Sequence, residues 1–292
     1  MKLDFNDPQT RYLIDYANLK QGVIKYQDDF LNKKTLEEFF KKPHFGFPLV
    51  LPIGIKYFDY EKKFTFTINK IKFMKKIFGL NKKNYIGEKI FFQYGNKFSY
   101  NAKLKKKYYD QFKYIIKFNL ELIKKVKYLK KDYYLSAFQT RNVPHFGHEE
   151  IIKRLMKKKG KVFINPLIGM KKKGDFKNNI LKKIFNNLIR NFEYKNKVLF
   201  GPFIANMHYA GPREAIHHLN LREMMGFNRF TIGRDHAGAE NAYKPLDAFN
   251  YVKKFSKNLK IDIFAHKGSY FCKYCDKIIL RSDCKHKNLQ EI

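Results

Sequence analysis

From Tyr133 onward short apolar runs alternate with helical patterns, and this rhythm limits the folds open to the chain more than any other feature. The runs Tyr134–Phe138, Val162–Leu167, Val198–Phe203, Phe230–Gly233 and Ile261–Phe264 read as strands. The intervals at about 148–158, 178–193, 213–225 and 242–257 read as helices. Strand followed by helix, repeated, predicts an α/β fold with a doubly wound parallel sheet. Ligands of such sheets sit beyond the carboxyl ends of the strands. Polar clusters occupy those places here: Gln139–His148 follows the first strand, Asn206–Arg213 the third and Arg234–Gly238 the fourth.

Residues 1–131 have a different texture, rich in lysine and aromatics. Alternating runs such as Lys63–Ile68 and Lys89–Tyr94, punctuated by Gly, Asn and Pro, predict a mostly β domain with one early helix near Lys34–Lys41. Leu120–Lys131 reads as a basic linker or a last helix with a solvated face. The expected division is 1–131 β-rich, 132–265 α/β and 266–292 metal-binding. No internal repeat is evident.

The chain of 292 residues carries 61 Lys and Arg against 26 Asp and Glu, a net charge of +35. Such a charge ordinarily points to nucleic acid or an anionic membrane. Only nine of the cations are arginines, however. Lys, Asn, Phe, Tyr and Ile share A/T-rich codons, so base-composition drift accounts for the lysine surface, and no specific nucleic acid is expected. Against that drift Arg141, Arg213 and Arg234 stand out, because an ammonium cannot replace a planar two-pronged donor. The longest apolar stretch, Phe45–Ile55, is broken by two prolines and falls far below the roughly 20 residues that cross a bilayer. Met1–Pro8 lacks an apolar signal core. A cytoplasmic protein without a membrane partner is expected.

The segment Phe138–Glu149 is the richest in chemistry. A strand ends, a loop presents Gln139, Arg141 and Asn142, and His145-x-Gly147-His148 opens a helix. A helix start offers free amide hydrogens and a positive dipole end, and Gly147 allows a phosphate close to the backbone. Two histidines there can donate to phosphate oxygens and stabilise charge on a departing pyrophosphate. Met207–Ala215 places Pro212 and Arg213 at a second helix start, and Gly233–Gly238 sets Arg234, Asp235 and His236 at a strand end. Taken singly, these last two read as a loop-to-helix junction and a salt-bridged scaffold. Cys272-x2-Cys275-x8-Cys284-x-His286 supplies three thiolates and one imidazole, a closed tetrahedral set that suits structural Zn²⁺. His266 is a weaker metal candidate, expected at the surface.

Together the three segments resemble ATP sulfurylase, also called sulfate adenylyltransferase. That family carries Gln-Thr-Arg-Asn-x-x-His-x-Gly-His, Tyr-Ala-Gly-Pro-Arg-Glu-Ala and Gly-Arg-Asp-His-Ala-Gly in this order at similar spacing. The resemblance covers roughly 133–286 and implies a nucleotidyltransferase domain behind a smaller PUA-like, β-rich domain. It implies sulfate binding by Gln139, Arg141, Arg234 and the backbone at Ala237, and ATP binding by Asn142, His145, Gly147 and His148. Arg141, His145, His148 and Arg234 would be the catalytic set. Mg²⁺ would travel with ATP, Zn²⁺ would sit in the Cys/His cluster, and ATP and sulfate, or adenosine 5′-phosphosulfate and pyrophosphate in reverse, would be the partners; a homo-oligomer is compatible with the family.

Two departures accompany the resemblance. The family pattern continues past the cluster to Ser-Gly-Thr-x-x-Arg whereas this sequence stops at Ile292, and His208 stands where the family has arginine. They keep open a decayed or regulatory nucleotide-binding homologue, while bulk charge alone favours a basic zinc-ribbon nucleic-acid binder.

Overall fold

The computed structural model describes residues 3–81, 84–156, 160–191, 196–286 and 289–291. Its first part runs through helices α1 (Thr10–Lys20) and α2 (Lys33–Phe40), strands β1 (Leu51–Pro52), β2 (Phe58–Asp59) and β3 (Thr65–Thr67), helices α3 (Lys70–Phe73) and α4 (Ile86–Phe91), strands β4 (Lys97–Ser99) and β5 (Lys103–Leu104), and helix α5 (Tyr109–Leu129). The strands are two or three residues long and form an antiparallel β1-β4-β3 sheet and a β2-β5 pair. This corrects the expected β-rich region: helix dominates it. The run Lys89–Tyr94 is a case in point. It enters α4 because Glu88 and Phe91 recur on one buried face, where Phe91 stacks on Phe73 with ring centroids 4.0 Å apart. The early helix forms as expected, capped by Asn32, whose side chain accepts the Thr35 amide at 2.9 Å. Of the two readings of Leu120–Lys131 the helix holds: it forms the end of α5 up to Leu129, with Leu122, Ile123 and Val126 buried and Lys124, Lys125 and Lys127 exposed.

The expected parallel sheet is present. Its strands are β6 (Tyr134–Phe138), β7 (Gly160–Ile164), β8 (Val198–Phe200), β9 (Arg229–Ile232) and β10 (Asp262–Ala265), in the order β10-β9-β6-β7-β8. Strand order thus reverses at β6, the mark of a doubly wound sheet. Helices α6 (Phe146–Leu155), α7 (Asn178–Asn191), α8 (Gly211–Met225) and α9 (Asp247–Phe255) make the crossovers. Residues 157–158 and 192–193, expected as helix ends, lie outside the described residues. Leu135, Ala137 and Phe163 face a core that is continuous from Leu3 to Ile261, while Phe138, Val162 and Ile164 face a second core shared with α6 and α7. The alternation along β6 and β7 is what places helices on both sides.

After β10 the chain forms a small antiparallel sheet of β11 (Ser269–Cys272), β12 (Lys277–Leu280) and β13 (Leu289–Glu291), packed on α6. Among the described residues no helix is long and apolar enough to cross a membrane.

The turn after β7 approaches its neighbour so closely that a side chain is excluded. A Cβ on Gly169 would run into the carbonyl oxygen of Ala205, which accepts the Gly169 amide at 3.0 Å, so backbone would have to shift to admit it. Gly169→Ala is therefore expected to cost about 2–3 kcal/mol, read as a lowered urea midpoint at unchanged slope.

Candidate active site

A cleft of about 630 Å³ opens at the carboxyl ends of the strands. The loops after β6, β7, β9 and β10 and the start of α8 form its walls. Of the residues expected to act on substrates, Gln139, Arg141, Asn142, His145, His148, Arg234 and Ala237 all line it. Gly147 does not. Its amide donates to His145 Nδ1 at 3.1 Å, and a Cβ there would lie 2.9 Å from Ser269 Cβ, so this glycine admits β11 against α6.

His145 is the N-cap of α6, with extended backbone at φ −141° and ψ 170°. Because its Nδ1 accepts the Gly147 amide, the neutral ring carries its proton on Nε2, ready to donate. The His148 ring lies 3.8 Å from it, centroid to centroid. Burial, reinforced by the neighbouring His145 and His266, pushes the His148 pKa down to about 3. Burial also lowers that of His145. Both are neutral donors beside a helix start, an arrangement suited to phosphate.

Arg141 crosses the floor of the cleft. Its Nη2 donates to the Gly238 carbonyl at 2.8 Å, and its guanidinium lies over the Tyr209 ring, 5.5 Å from the centroid. Nη1 is buried without a hydrogen bond, 3.7 Å from Asp175 Oδ2. Asp175 itself accepts from the Tyr209 hydroxyl at 2.8 Å. Gln139 also keeps a buried, unpartnered Oε1. Of the two, Arg141 Nη1 is a donor that an oxyanion would satisfy, whereas Gln139 Oε1 is an acceptor and calls for a donor. On the facing wall Arg234 contacts Asp235 at 3.2 Å and the Tyr270 hydroxyl at 3.4 Å. Ala237 adopts φ +58°, and its carbonyl accepts the Gly211 amide at 3.1 Å.

Other expectations are corrected. Arg213 lies outside the cleft, buried, bonded to the Lys42 carbonyl at 3.3 Å and stacked on Phe39. His208 also points away, stacked on Phe47 at 4.1 Å and 11°. Here the exchange of arginine for histidine sits in the core shared with the first part of the chain. His266, expected at the surface, lines the cleft. Behind the cleft Glu214 accepts the amides of His208 and Ala210 at 2.7 and 2.8 Å, and burial raises its pKa to about 7.

Sequence reasoning missed the loop after β7, whose Lys172, Gly174 and Asp175 line the cleft. Its signal was available: a Gly- and Lys-rich segment at the carboxyl end of the second strand, the position where such sheets bind ligands.

The four metal-ligating residues converge. Donor atoms of Cys272, Cys275, Cys284 and His286 all lie within 4.8 Å of one another. The sulfurs are 3.6 and 3.9 Å apart along two edges, and His286 Nδ1 is 3.2–3.6 Å from each of them. Bonds of about 2.3 Å from one tetrahedral ion span edges of about 3.8 Å. The set fits a single ion such as zinc.

The depressed histidine values have a consequence for stability. At pH above 6.5 the His148 ring is neutral whether folded or unfolded. Between pH 6.5 and about 3 the unfolded chain takes up a proton that the folded one refuses, so stability is lost as pH falls. The slope is up to about 1.4 kcal/mol per pH unit for such a group. His217 and His266, lowered to about 3 and about 4, act in the same direction. His148→Gln should flatten, without abolishing, the fall of the urea midpoint between pH 7 and 5.

Known proteins resemble this chain. A family model described as ATP-sulfurylase matches residues 119–292. The sulfate adenylyltransferase of Ignicoccus hospitalis is 40% identical over 152 residues, covering 52% of this chain and 40% of that protein, so the chain spans about two-fifths of its length. That of Persephonella marina is 29% identical over 308 residues, covering 94% of this chain and 79% of its own. A solved structure, hexameric APS kinase from Thiobacillus denitrificans, matches in fold at a TM-score of 0.60 and 11% identity, over 100% of this chain and 56% of that one. With its family model matched over more than half of its length, the chain belongs to the ATP-sulfurylase family.

Proposed function

We propose that this protein is a sulfate adenylyltransferase, transferring the adenylyl group of ATP to sulfate to give adenosine 5′-phosphosulfate and pyrophosphate, or the reverse. The observation that carries the reading is the convergence of Gln139, Arg141, Arg234, His145 and His148 on one cleft. In it, Gln139, Arg141, Arg234 and the backbone at Ala237 hold sulfate, while Asn142, His145 and His148 hold the phosphates of ATP. A sulfate oxygen forms a bond to the α-phosphorus in line as the bond to pyrophosphate breaks, so no covalent enzyme intermediate is needed. Two anions must meet, and fixed arginines with a helix start offset their repulsion. The neutral histidines donate most strongly as charge grows on the leaving pyrophosphate. Mg²⁺ arriving with ATP would supply further charge neutralisation beside His145 and His148. Zn²⁺ in the Cys3His set has a structural role, because all four tetrahedral positions are taken.

Pyrophosphate release from ATP-Mg should depend on sulfate. Arg141→Lys should lower it by roughly a hundredfold or more, since a two-pronged contact made to the reacting oxyanion is lost. Unchanged turnover in that variant would remove Arg141 from the site. ATP binding without sulfate-dependent release would assign a nucleotide-binding homologue instead.

Purified protein should hold about one equivalent of zinc. Ser269 and Cys272 share β11, and Ser269 donates to the Gly147 carbonyl at 3.0 Å. Metal loss should therefore loosen the start of α6 as well as the ribbon. Cys275→Ser is expected to release zinc, lower the melting temperature and weaken nucleotide binding; metal-free protein with unchanged melting would refute the structural role.

A further inference from the structure

The loop after β7 and the first residue of the second motif, Tyr209, are joined at one point beneath Arg141. The Tyr209 hydroxyl accepts the Lys172 amide at 2.7 Å and donates to Asp175 Oδ2 at 2.8 Å, while Asp175 Oδ1 lies 3.3 Å from Lys172 Nζ. Both Asp175 oxygens are thus engaged by residues other than Arg141. Tyr209 is fully buried and holds a left-handed backbone at φ +57°, a strained state for a tyrosine. Its carbonyl is held by the Tyr85 hydroxyl. That unusual turn puts the Tyr209 ring under the Arg141 guanidinium.

We infer that Asp175 and Tyr209 are positioning residues that fix Arg141 for the incoming oxyanion, an inference that rests on the proposed sulfate adenylyltransferase reading. Three constraints act on the guanidinium. Nη2 is tied to the Gly238 carbonyl, the flat face rests on Tyr209, and the Asp175 carboxylate attracts Nη1 from 3.7 Å without taking its hydrogen. At that distance the carboxylate offsets the cost of burying the cation yet leaves the donor for a ligand. Asp175 has no proton-transfer role in this arrangement. Sulfate is a dianion near neutral pH and brings no proton to remove, and the carboxylate is already occupied by Tyr209 and Lys172. The tyrosine hydroxyl is the pin: it connects the loop that carries Asp175 to the ring that carries Arg141.

The test is steady-state pyrophosphate release with sulfate varied, alongside binding of ATP measured without sulfate. Asp175→Asn and Tyr209→Phe keep the side-chain shapes. Each should lower kcat/KM for sulfate about tenfold or more, the size of a lost hydrogen bond to a charged group, with ATP affinity within about twofold of wild type. The double variant should lose no more than the worse single one, because both act through one network. In an Arg141→Lys background Asp175→Asn should cost under about twofold, since the group to be oriented is gone. Additive losses, an undiminished effect in the Arg141→Lys background, or a parallel fall in ATP affinity would each overturn the inference while leaving the parent reading standing. Wild-type protein that releases no pyrophosphate with sulfate would sink the parent reading and the inference together.

Discussion

The reversal of strand order at β6 is the constraint on which the site depends. β6 pairs with β7 on one side and β9 on the other, so the loops leaving β6 and β9 part and open a crevice at their carboxyl ends. The crevice keeps its shape because a buried polar clasp holds the strand ends together. The Asn165 amide donates to the Phe138 carbonyl at 2.8 Å, and its side-chain amide donates to the Gly201 carbonyl. Arg222, fully buried, donates to Asn165 Oδ1 at 2.8 Å and to its carbonyl at 3.0 Å, with its guanidinium over Phe230. One asparagine thereby ties the ends of β6, β7 and β8, and one arginine from α8 locks the asparagine.

Charge works in this molecule by placement. The lysines that make up most of the +35 are largely solvated, as along α5. The cleft is lined by Arg141 and Arg234, the start of α6 and two neutral imidazoles, with Lys172 and Lys244 beside them. Burial explains the neutrality: the same desolvation that depresses His145 and His148 makes their N–H groups stronger partners for an anion than they would be in water. The price of ordering is visible behind the wall, where His218 Nδ1 meets His236 Nε2 at 3.0 Å and Glu214 reaches back to two amides of its own loop.

Much of this was legible in the sequence because local pattern and tertiary demand agree in the second half. β6 spans Tyr134–Phe138 as its apolar run predicts, and the motif loops follow their strands. The cysteine spacing specified a cluster whose geometry depends on few other residues. Legibility failed where long-range packing decided. Lys89–Tyr94 alternates like a strand, but stacking of Phe91 on Phe73 selects a helix. Arg213 stood out as an arginine kept at a helix start, and its contacts come from Phe39 and Lys42, some 170 positions earlier. The loop that carries Asp175 was open to reading from its place after β7, but the contacts of Asp175 with Tyr209 and Arg141, on two other loops, were not.

The aromatic first part of the chain gains its role from the strain in those loops. Positive φ angles at non-glycine residues gather at Tyr209, Ala237, Glu240, Asn241 and Leu246, all in or beside the second and third motifs. Such conformations persist only where the surroundings over-determine them. Here the determinants are Phe78, Tyr85 and Ile86: the Tyr85 hydroxyl holds the Tyr209 carbonyl, the Ile86 amide donates to Glu240 Oε2 at 3.2 Å, and the Phe78 carbonyl accepts the Tyr243 hydroxyl at 3.0 Å. Tyr243 in turn packs where a Cβ on Gly211 would fall, 2.5 Å from its ring, which is why that helix start needs glycine at φ +49°. Phe78, Tyr85 and Ile86 therefore brace the loops around Arg141 and Arg234, so substitutions at Tyr85 should register at the cleft before they register in the sheet.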